Sequence, residues 1–180
     1  MNQGTGWLAG IGVGLVALIL VGGFAGPLFG VLGAGLAGYY TYKYFDDKYQ
    51  VQLNAMLNPP VEYWPLRMEE AWLCLEEVLD TCTMQTGVSG VSHWRVTSKD
   101  NNRGILKAQI DFKQALGSPA DPKIFPRTVI MDAELTPEED STKVEIKYNI
   151  HSPSGNGMVT DLIKTTQGSL RNRVAIAKEA

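Results

Sequence analysis

Few side chains in the sequence are of types that carry out chemistry. There are two histidines, His93 and His151, and two cysteines, Cys74 and Cys82. Each histidine falls on the outward side of a predicted strand, with no cysteine or carboxylate at metal-ligand spacing, so we predict no metal site and no cofactor. The cysteines are eight residues apart on one predicted helix. That is about 12 Å along its axis, too far for a disulfide between them, and we interpret both as small buried side chains.

Two glycine motifs look like parts of enzyme sites but lack the elements that such sites need. Residues 33–38 spell G-x-G-x-x-G, yet a dinucleotide-binding unit also requires a preceding strand, a following helix and a later acidic residue. Residues 87–90, Gly-Val-Ser-Gly, are one residue short of a nucleophile elbow, and no predicted strand leads into them. We interpret the run Glu69, Glu70, Glu76 and Glu77 as a solvated helix face. The sequence therefore predicts a protein that is not an enzyme.

Three aromatic residues mark a candidate ligand pocket. Trp94, Phe112 and Tyr148 alternate with polar neighbours in predicted strands, so all three face the predicted core. A curved sheet wrapped against a helix can enclose an apolar cavity, as in helix-grip lipid-binding domains, an analogy at the level of fold alone. The alternative interpretation is that these residues are ordinary core.

The charges of the chain are unevenly distributed. The sequence has 16 Lys and Arg against 19 Asp and Glu, a formal net charge of −3, and residues 1–42 contain none of these side chains. This balance excludes a basic nucleic-acid binder, and the two cysteines exclude a disulfide-stapled secreted module.

The charge-free leader predicts an integral membrane protein. Its apolar run exceeds the length of about 20 residues that crosses a bilayer as a helix. The alternatives are a removed secretory signal and a buried helix of a soluble protein, but no Lys or Arg precedes the run as it would in a signal. Two short helices in a hairpin fit better than one long crossing, because glycines and a proline lie mid-run, where the chain would turn. The hairpin would bring the predicted interfacial aromatics together: Trp7, Tyr39, Tyr40 and Tyr42.

Small residues recur every four positions along this leader. In lipid, such a stripe lets helices approach closely. One interpretation is packing between the two arms of the hairpin, and the other is self-association or docking against a larger membrane complex. The residues predicted to pack are Gly10, Gly14, Gly22, Gly26, Gly30, Ala34 and Gly38, with Leu18 in the same register.

The remainder of the chain has the periodicities of an α+β fold. Residues 1–42 form the membrane segment, and residues 43–60 a helical stalk that ends near Leu57, before Pro59 and Pro60. Residues 61–180 form a soluble domain whose helical period changes near Ser92 to a strand period and back again. The predicted strands are Ser92–Ser98, Leu106–Phe112, Val129–Leu135 and Val144–Ile150, with a longer loop from Gln114 to Phe125 between the second and the third. The last helix has an apolar stripe that includes Leu162 and Leu170. The order α-β-β-β-β-α predicts a two-layer sandwich, in which a four-stranded antiparallel sheet carries two helices on one face.

Two functions fit these features. The first is a non-enzymatic accessory or assembly subunit, anchored by the glycine-striped segment and present as a homo-oligomer or in a larger membrane complex. The second is a membrane-tethered binding domain for a lipid or other small apolar ligand. Lys43 and Lys48 follow the apolar run, and the positive-inside rule then favours a soluble domain on the cytoplasmic side.

Overall fold

The computed structural model describes residues 8–17, 19, 27–118, 121–151 and 157–179. By its internal contacts the chain divides into two compact units, Met1–Asn54 and Ala55–Ala180. We refer to them as the hairpin unit and the α+β unit.

Two helices of the hairpin unit approach each other through their backbones. Helix α1 is described over residues 8–17, and helix α2 spans Pro27–Leu57. A methyl group placed on Gly10 would lie 2.9 Å from the carbonyl oxygen of Gly38, and one on Gly14 would lie 3.1 Å from that of Ala34. Because one partner's number rises as the other falls, the helices run antiparallel. Larger side chains at these contacts would force the helices apart.

The predicted membrane segment is contradicted by these helices. Among the described residues, no helix combines the length and the sustained hydropathy needed to cross a bilayer. The apolar leader contributes to two helices, and α2 continues past its apolar part into Lys43, Asp46 and Asp47. The predictions of a transmembrane segment, a membrane-embedded glycine zipper and an integral membrane localisation are therefore wrong.

The described residues of the α+β unit form seven strands and two helices. Five strands form an antiparallel sheet in the order β1-β7-β6-β5-β4, and β2 and β3 form a separate hairpin. The elements are β1 Glu62–Trp64, α3 Met68–Thr81, β2 Thr83–Thr86, β3 Gly90–His93, β4 Arg95–Asp100, β5 Ile105–Ser118, β6 Asp121–Pro137, β7 Thr142–His151 and α4 Gly157–Glu179.

The predicted α+β architecture with an antiparallel sheet is confirmed, but the sheet has five strands and not four. The extra strand is β1, whose three residues pair with the start of β7. So short a segment carries no periodicity of its own, and it is a strand only because β7 offers a free edge.

The first predicted strand, from Ser92 to Ser98, is divided in the structure. Residues before Trp94 pair with β2, and residues after it pair with β5. Trp94 is buried as predicted, whereas Val96 and Ser98 are exposed. The ladder shifts register between Val96 and Ser98, and such an irregularity breaks the alternation on which the prediction relied.

The predicted loop from Gln114 to Phe125 is largely strand. Strands β5 and β6 stay paired as far as Ser118 and Asp121, so they form one long hairpin. Beyond Thr128 the β6–β7 ladder ends. Among the described residues, the sheet therefore continues with β5 and β6 alone, and Pro122 and Pro126 are tolerated because no described strand pairs with the other edge of β6 there.

One core holds the sheet and both helices together. Inward side chains of β5, β6 and β7 contact the apolar faces of α3 and α4. The buried hydroxyl of Thr142 donates to the carbonyl of Leu66 at 2.8 Å. Gly104, with φ of 69°, lies against the backbone of Leu135. Only glycine fits at this position, since a methyl group there would lie 1.9 Å from the Leu135 carbonyl oxygen.

Candidate ligand-binding site

The three predicted pocket residues lie in the core of the α+β unit. Trp94, Phe112 and Tyr148 are all buried on the sheet face that α3 and α4 cover. Tyr148 lies opposite Met131 of β6, and Phe112 lies opposite Arg127 of the same strand. Four residues of β6 span about 13 Å, so the structure places Phe112 and Tyr148 at different levels of one interior.

Arg127 is the interior residue that the sequence analysis missed. Strand β6 alternates inward residues from Leu135 back through Met131 and Val129, and the next inward position is Arg127. The signal was present, because the parity of the predicted strand reaches position 127 in one further step. The predicted strand begins only at Val129, because Gly117, Pro119 and Pro122 favour a loop over the preceding residues 114–125.

The Arg127 side chain is buried and only partly hydrogen-bonded. Its relative exposure is 1%. Its Nε–H donates to Oε1 of Gln114, itself buried, at 3.0 Å, and its Cζ lies 6.0 Å from the centre of the Phe125 ring. Within the described part of the chain, neither Nη1 nor Nη2 has a hydrogen-bond partner, and no carboxylate forms an ion pair with the guanidinium.

Burial is what perturbs this group electrostatically. Desolvation lowers the pKa of the Arg127 guanidinium from its ordinary value. A guanidinium nevertheless remains protonated at neutral pH. Enclosing an ion without a counterion costs several kcal/mol. Without a bound partner, the Arg127 charge therefore destabilises the otherwise apolar core.

Other interior polar groups also lack partners. Native proteins leave few buried polar atoms unsatisfied, and each one calls for an explanation. The core of the α+β unit contains several such unpaired polar atoms, on residues of α3, α4, the sheet and the connection between β3 and β4. Counted over the described residues they are Nε1 of Trp72, Nε1 of Trp94, the hydroxyl of Tyr148 and Oγ1 of Thr166, besides the two Arg127 nitrogens. Burial also raises the pKa of Tyr148, so its hydroxyl remains a neutral donor.

The interior must open before it can take a ligand. A small cavity between β1, β7 and α4 has a volume of about 20 Å³ and is lined by Trp64, Val144, Ile146 and Leu170, among others. That is room for one water molecule. The terminal nitrogens of Arg127 are likewise enclosed, but Arg127 lies where the sheet narrows to β5 and β6, so few strands would have to move.

The remaining candidate residues are engaged or exposed. His93 and His151 are exposed, and the described residues include no group of three His, Cys, Asp or Glu placed to hold a metal. The hydroxyl oxygens of Ser89 and Thr86 are hydrogen-bonded at 2.7 Å, and the Ser89 hydroxyl accepts a second hydrogen bond from the backbone N–H of Lys113. Cys74 and Cys82 are buried free thiols, and burial raises the pKa of Cys74.

The predicted leader residues fall into three groups. Gly10, Gly14, Ala34 and Gly38 meet between α1 and α2. Tyr39, Tyr40 and Tyr42 are exposed on α2, with the first two rings edge-on at 5.7 Å. The third group, which lies outside the described residues, is Trp7, Leu18, Gly22 and Gly26. Gly30 is within α2.

Comparisons with known proteins show distant structural similarity alone. No protein-family model matches the chain, and no curated protein matches it. Solved structures similar to it include Ara h 8.0201, with 11% identity, a TM-score of 0.47 and coverage of 67% of this chain and 96% of that one. Protein MLL2253 from Mesorhizobium loti has 14% identity, a TM-score of 0.43 and coverage of 67% and 94%. With TM-scores below 0.5, these similarities carry no argument about what the chain binds.

Proposed function

We propose that the chain is a binding protein whose α+β unit takes a small, largely apolar ligand between the sheet and its helices. The observation that supports this is the set of unpartnered polar groups in an apolar core. A ligand that enters the core would separate side chains that now contact one another. If it is mostly apolar, its own contacts with those side chains would take the place of the lost ones. Its few polar atoms would pair with groups such as the Tyr148 hydroxyl and the Trp94 indole N–H, which the described residues leave unsatisfied.

The test is binding of the neutral fluorescent probe N-phenyl-1-naphthylamine to the full-length protein. We expect a saturable signal at one probe per chain. Ala108 and Ala115 lie on β5, the first buried on the inner face and the second exposed. Ala108→Leu should weaken binding at least fivefold by filling the interior, whereas Ala115→Leu should leave it unchanged. Circular dichroism is the check that both variants fold.

The hairpin unit also exposes apolar side chains, so the probe's location must be established. Leu36 is one of these exposed residues. Leu36→Glu should not affect probe binding if the ligand enters the α+β unit. Loss of binding in Leu36→Glu, with retention in Ala108→Leu, would place the probe on the hairpin and refute the proposal.

A second candidate function is assembly through the hairpin unit. Exposed apolar patches of this kind mark association sites in many proteins. The exposed residues are Leu8, Ile11, Val13, Leu15, Val16, Ile19, Leu36, Tyr39, Tyr40, Tyr42, Tyr44 and Val51. A homo-oligomer, or an accessory subunit in a larger complex, would cover them.

Sedimentation velocity tests this candidate. The full-length protein should sediment as more than one copy of its 19.7 kDa chain. Leu36→Glu should shift it towards the monomer. The control is Leu73→Glu, which places the same charge at an equally exposed leucine of α3. A monomeric wild-type protein would exclude self-association.

A further inference from the structure

We infer that Arg127 binds the carboxylate of the ligand, so that the ligand class is an apolar carboxylic acid whose hydrocarbon part enters the core. The inference rests on the proposed function, because it names the chemistry of the ligand for the same interior. It is carried by a cation that is 1% exposed and has two free donor groups.

The hydrogen bond to Gln114 decides which edge of the guanidinium is available. The bond from Nε to Oε1 of Gln114, 3.0 Å long, holds the group in one orientation. It leaves the edge formed by Nη1 and Nη2, which carries two parallel N–H donors. A carboxylate has two oxygens at the matching separation and accepts both bonds at once, in a bidentate pair.

The surroundings of Arg127 favour an anion over a neutral polar group. Its neighbours on the inner face are Phe112 opposite it and Val129 next along β6, and both are buried and apolar. In such surroundings the charge is little screened, so a ligand anion would be attracted far more strongly than at the surface. A neutral ligand would leave the charge uncompensated.

A purely structural role for Arg127 makes the opposite prediction about stability. If the side chain serves only to hold Gln114 and the long β5–β6 hairpin, removing it should destabilise the protein. If it is an unpaired ion awaiting a ligand, Arg127→Met removes a desolvation cost and keeps most of the volume. The change is measured in a Gln114→Leu background, since Arg127→Met alone would leave the buried Oε1 of Gln114 without its donor. In that background we expect Arg127→Met to raise the melting temperature without ligand by about 2–4 °C.

The decisive experiment compares cis-parinaric acid with its methyl ester, which has the same fluorescent hydrocarbon chain but no charge. The wild-type protein should bind the acid at least about tenfold more tightly at neutral pH, as expected for hydrogen bonds to a charged group. Arg127→Met should lose this preference while its affinity for the ester stays within twofold. Arg103→Met, which removes an exposed arginine in the β4–β5 turn, should keep the preference.

Each result separates the two proposals. Equal wild-type affinity for acid and ester overturns the carboxylate site and leaves the proposed function standing, as does a preference that survives in Arg127→Met. Binding of neither probe overturns the proposed function itself. Should Arg127→Met fail to fold, the structural role is supported and the inference fails, unless wild-type melting is raised by the acid and not by the ester.

Discussion

The hairpin unit and the α+β unit depart in opposite ways from the usual arrangement of apolar side chains inside and polar groups outside. In the hairpin, glycines fill the contact between α1 and α2, and large apolar side chains such as Leu36 and Val51 point outward. In the α+β unit the apolar side chains are inside, but polar groups such as those of Arg127 and Tyr148 are enclosed with them.

The two units therefore differ in the kind of group that lacks a suitable environment. Exposed apolar groups are satisfied by covering them, and buried polar groups are satisfied by pairing them. Under the proposals above, a second protein surface would cover the hairpin, and a small molecule would pair with the interior of the α+β unit. Substitutions that add or remove bulk or polar atoms in one unit should have different effects in the other.

The largest expected effect comes from truncating a leucine in the α+β unit. Leu75 on α3 is fully buried. Leu75→Ala should lower the free energy of unfolding by about 3 kcal/mol, because it removes core contacts and leaves a cavity. Leu36→Ala, the same change at an exposed position of the hairpin, should cost less than about 0.5 kcal/mol in urea denaturation followed by tryptophan fluorescence. Similar losses in both variants would show that the hairpin has a side-chain core after all.

A larger side chain, in contrast to a truncated one, should have a large effect at the helix contact of the hairpin unit. Gly10 makes a backbone contact with Gly38, while a side chain on Gly12 would meet nothing within 4 Å. Gly10→Leu should separate α1 from α2 at a cost of about 1–3 kcal/mol, whereas Gly12→Leu should be tolerated. Hydrogen–deuterium exchange of the amides in residues 8–17 measures this, and faster exchange in Gly12→Leu as well would argue against the glycine contact.

Removing one buried polar atom should stabilise the α+β unit. The Tyr148 hydroxyl is buried without a partner among the described residues. Tyr148→Phe should raise the free energy of unfolding by about 1 kcal/mol in the absence of ligand, because the hydroxyl loses its hydrogen bonds to water on folding and gains none in the core. Tyr63→Phe, at an exposed tyrosine of β1, is the matched control and should be neutral. Destabilisation of Tyr148→Phe would mean that the hydroxyl is already satisfied.

Periodicity in the sequence predicted what depends on a single segment. The alternation of Leu106, Ala108, Ile110 and Phe112 placed all four in the core, and the helical stripe of α4 placed Leu162 and Leu170 there. These positions are decided by which side of one strand or helix is apolar.

What the sequence could not predict depends on partners distant along the chain. Strand β1 exists because β7 pairs with it, and β6 continues past Pro126 because β5 does. Arg127 lies on this continued part of β6, so it was missed although the parity of the strand reaches it. The membrane prediction failed differently: the glycines and proline indicated two helices, but the total hydropathy of the leader was mistaken for that of a single helix able to cross a bilayer.

The smallest expected effect concerns the outer face of the sheet, where Asp111 is hydrogen-bonded to three side chains. Asp111 accepts hydrogen bonds from Thr128 at 2.7 Å, from Gln109 and from Arg95 at 2.6 Å. Partial burial acts to raise the pKa of Asp111, but these three donors outweigh it and the pKa is lowered. Its stabilising contribution is therefore complete above the pKa of an unfolded aspartate and is lost as pH falls through the lower folded value.

Asp111→Asn should accordingly cost at most about 1 kcal/mol at neutral pH, because the carboxylate is largely exposed to solvent and screened. The difference from wild type should shrink towards acidic pH, where Asp111 is protonated in both states. Urea denaturation over a pH series measures this, with Asp140→Asn in the exposed β6–β7 turn as control. A cost that grows on acidification would mean that the outer face, like the interior, holds a group that its neighbours leave unsatisfied.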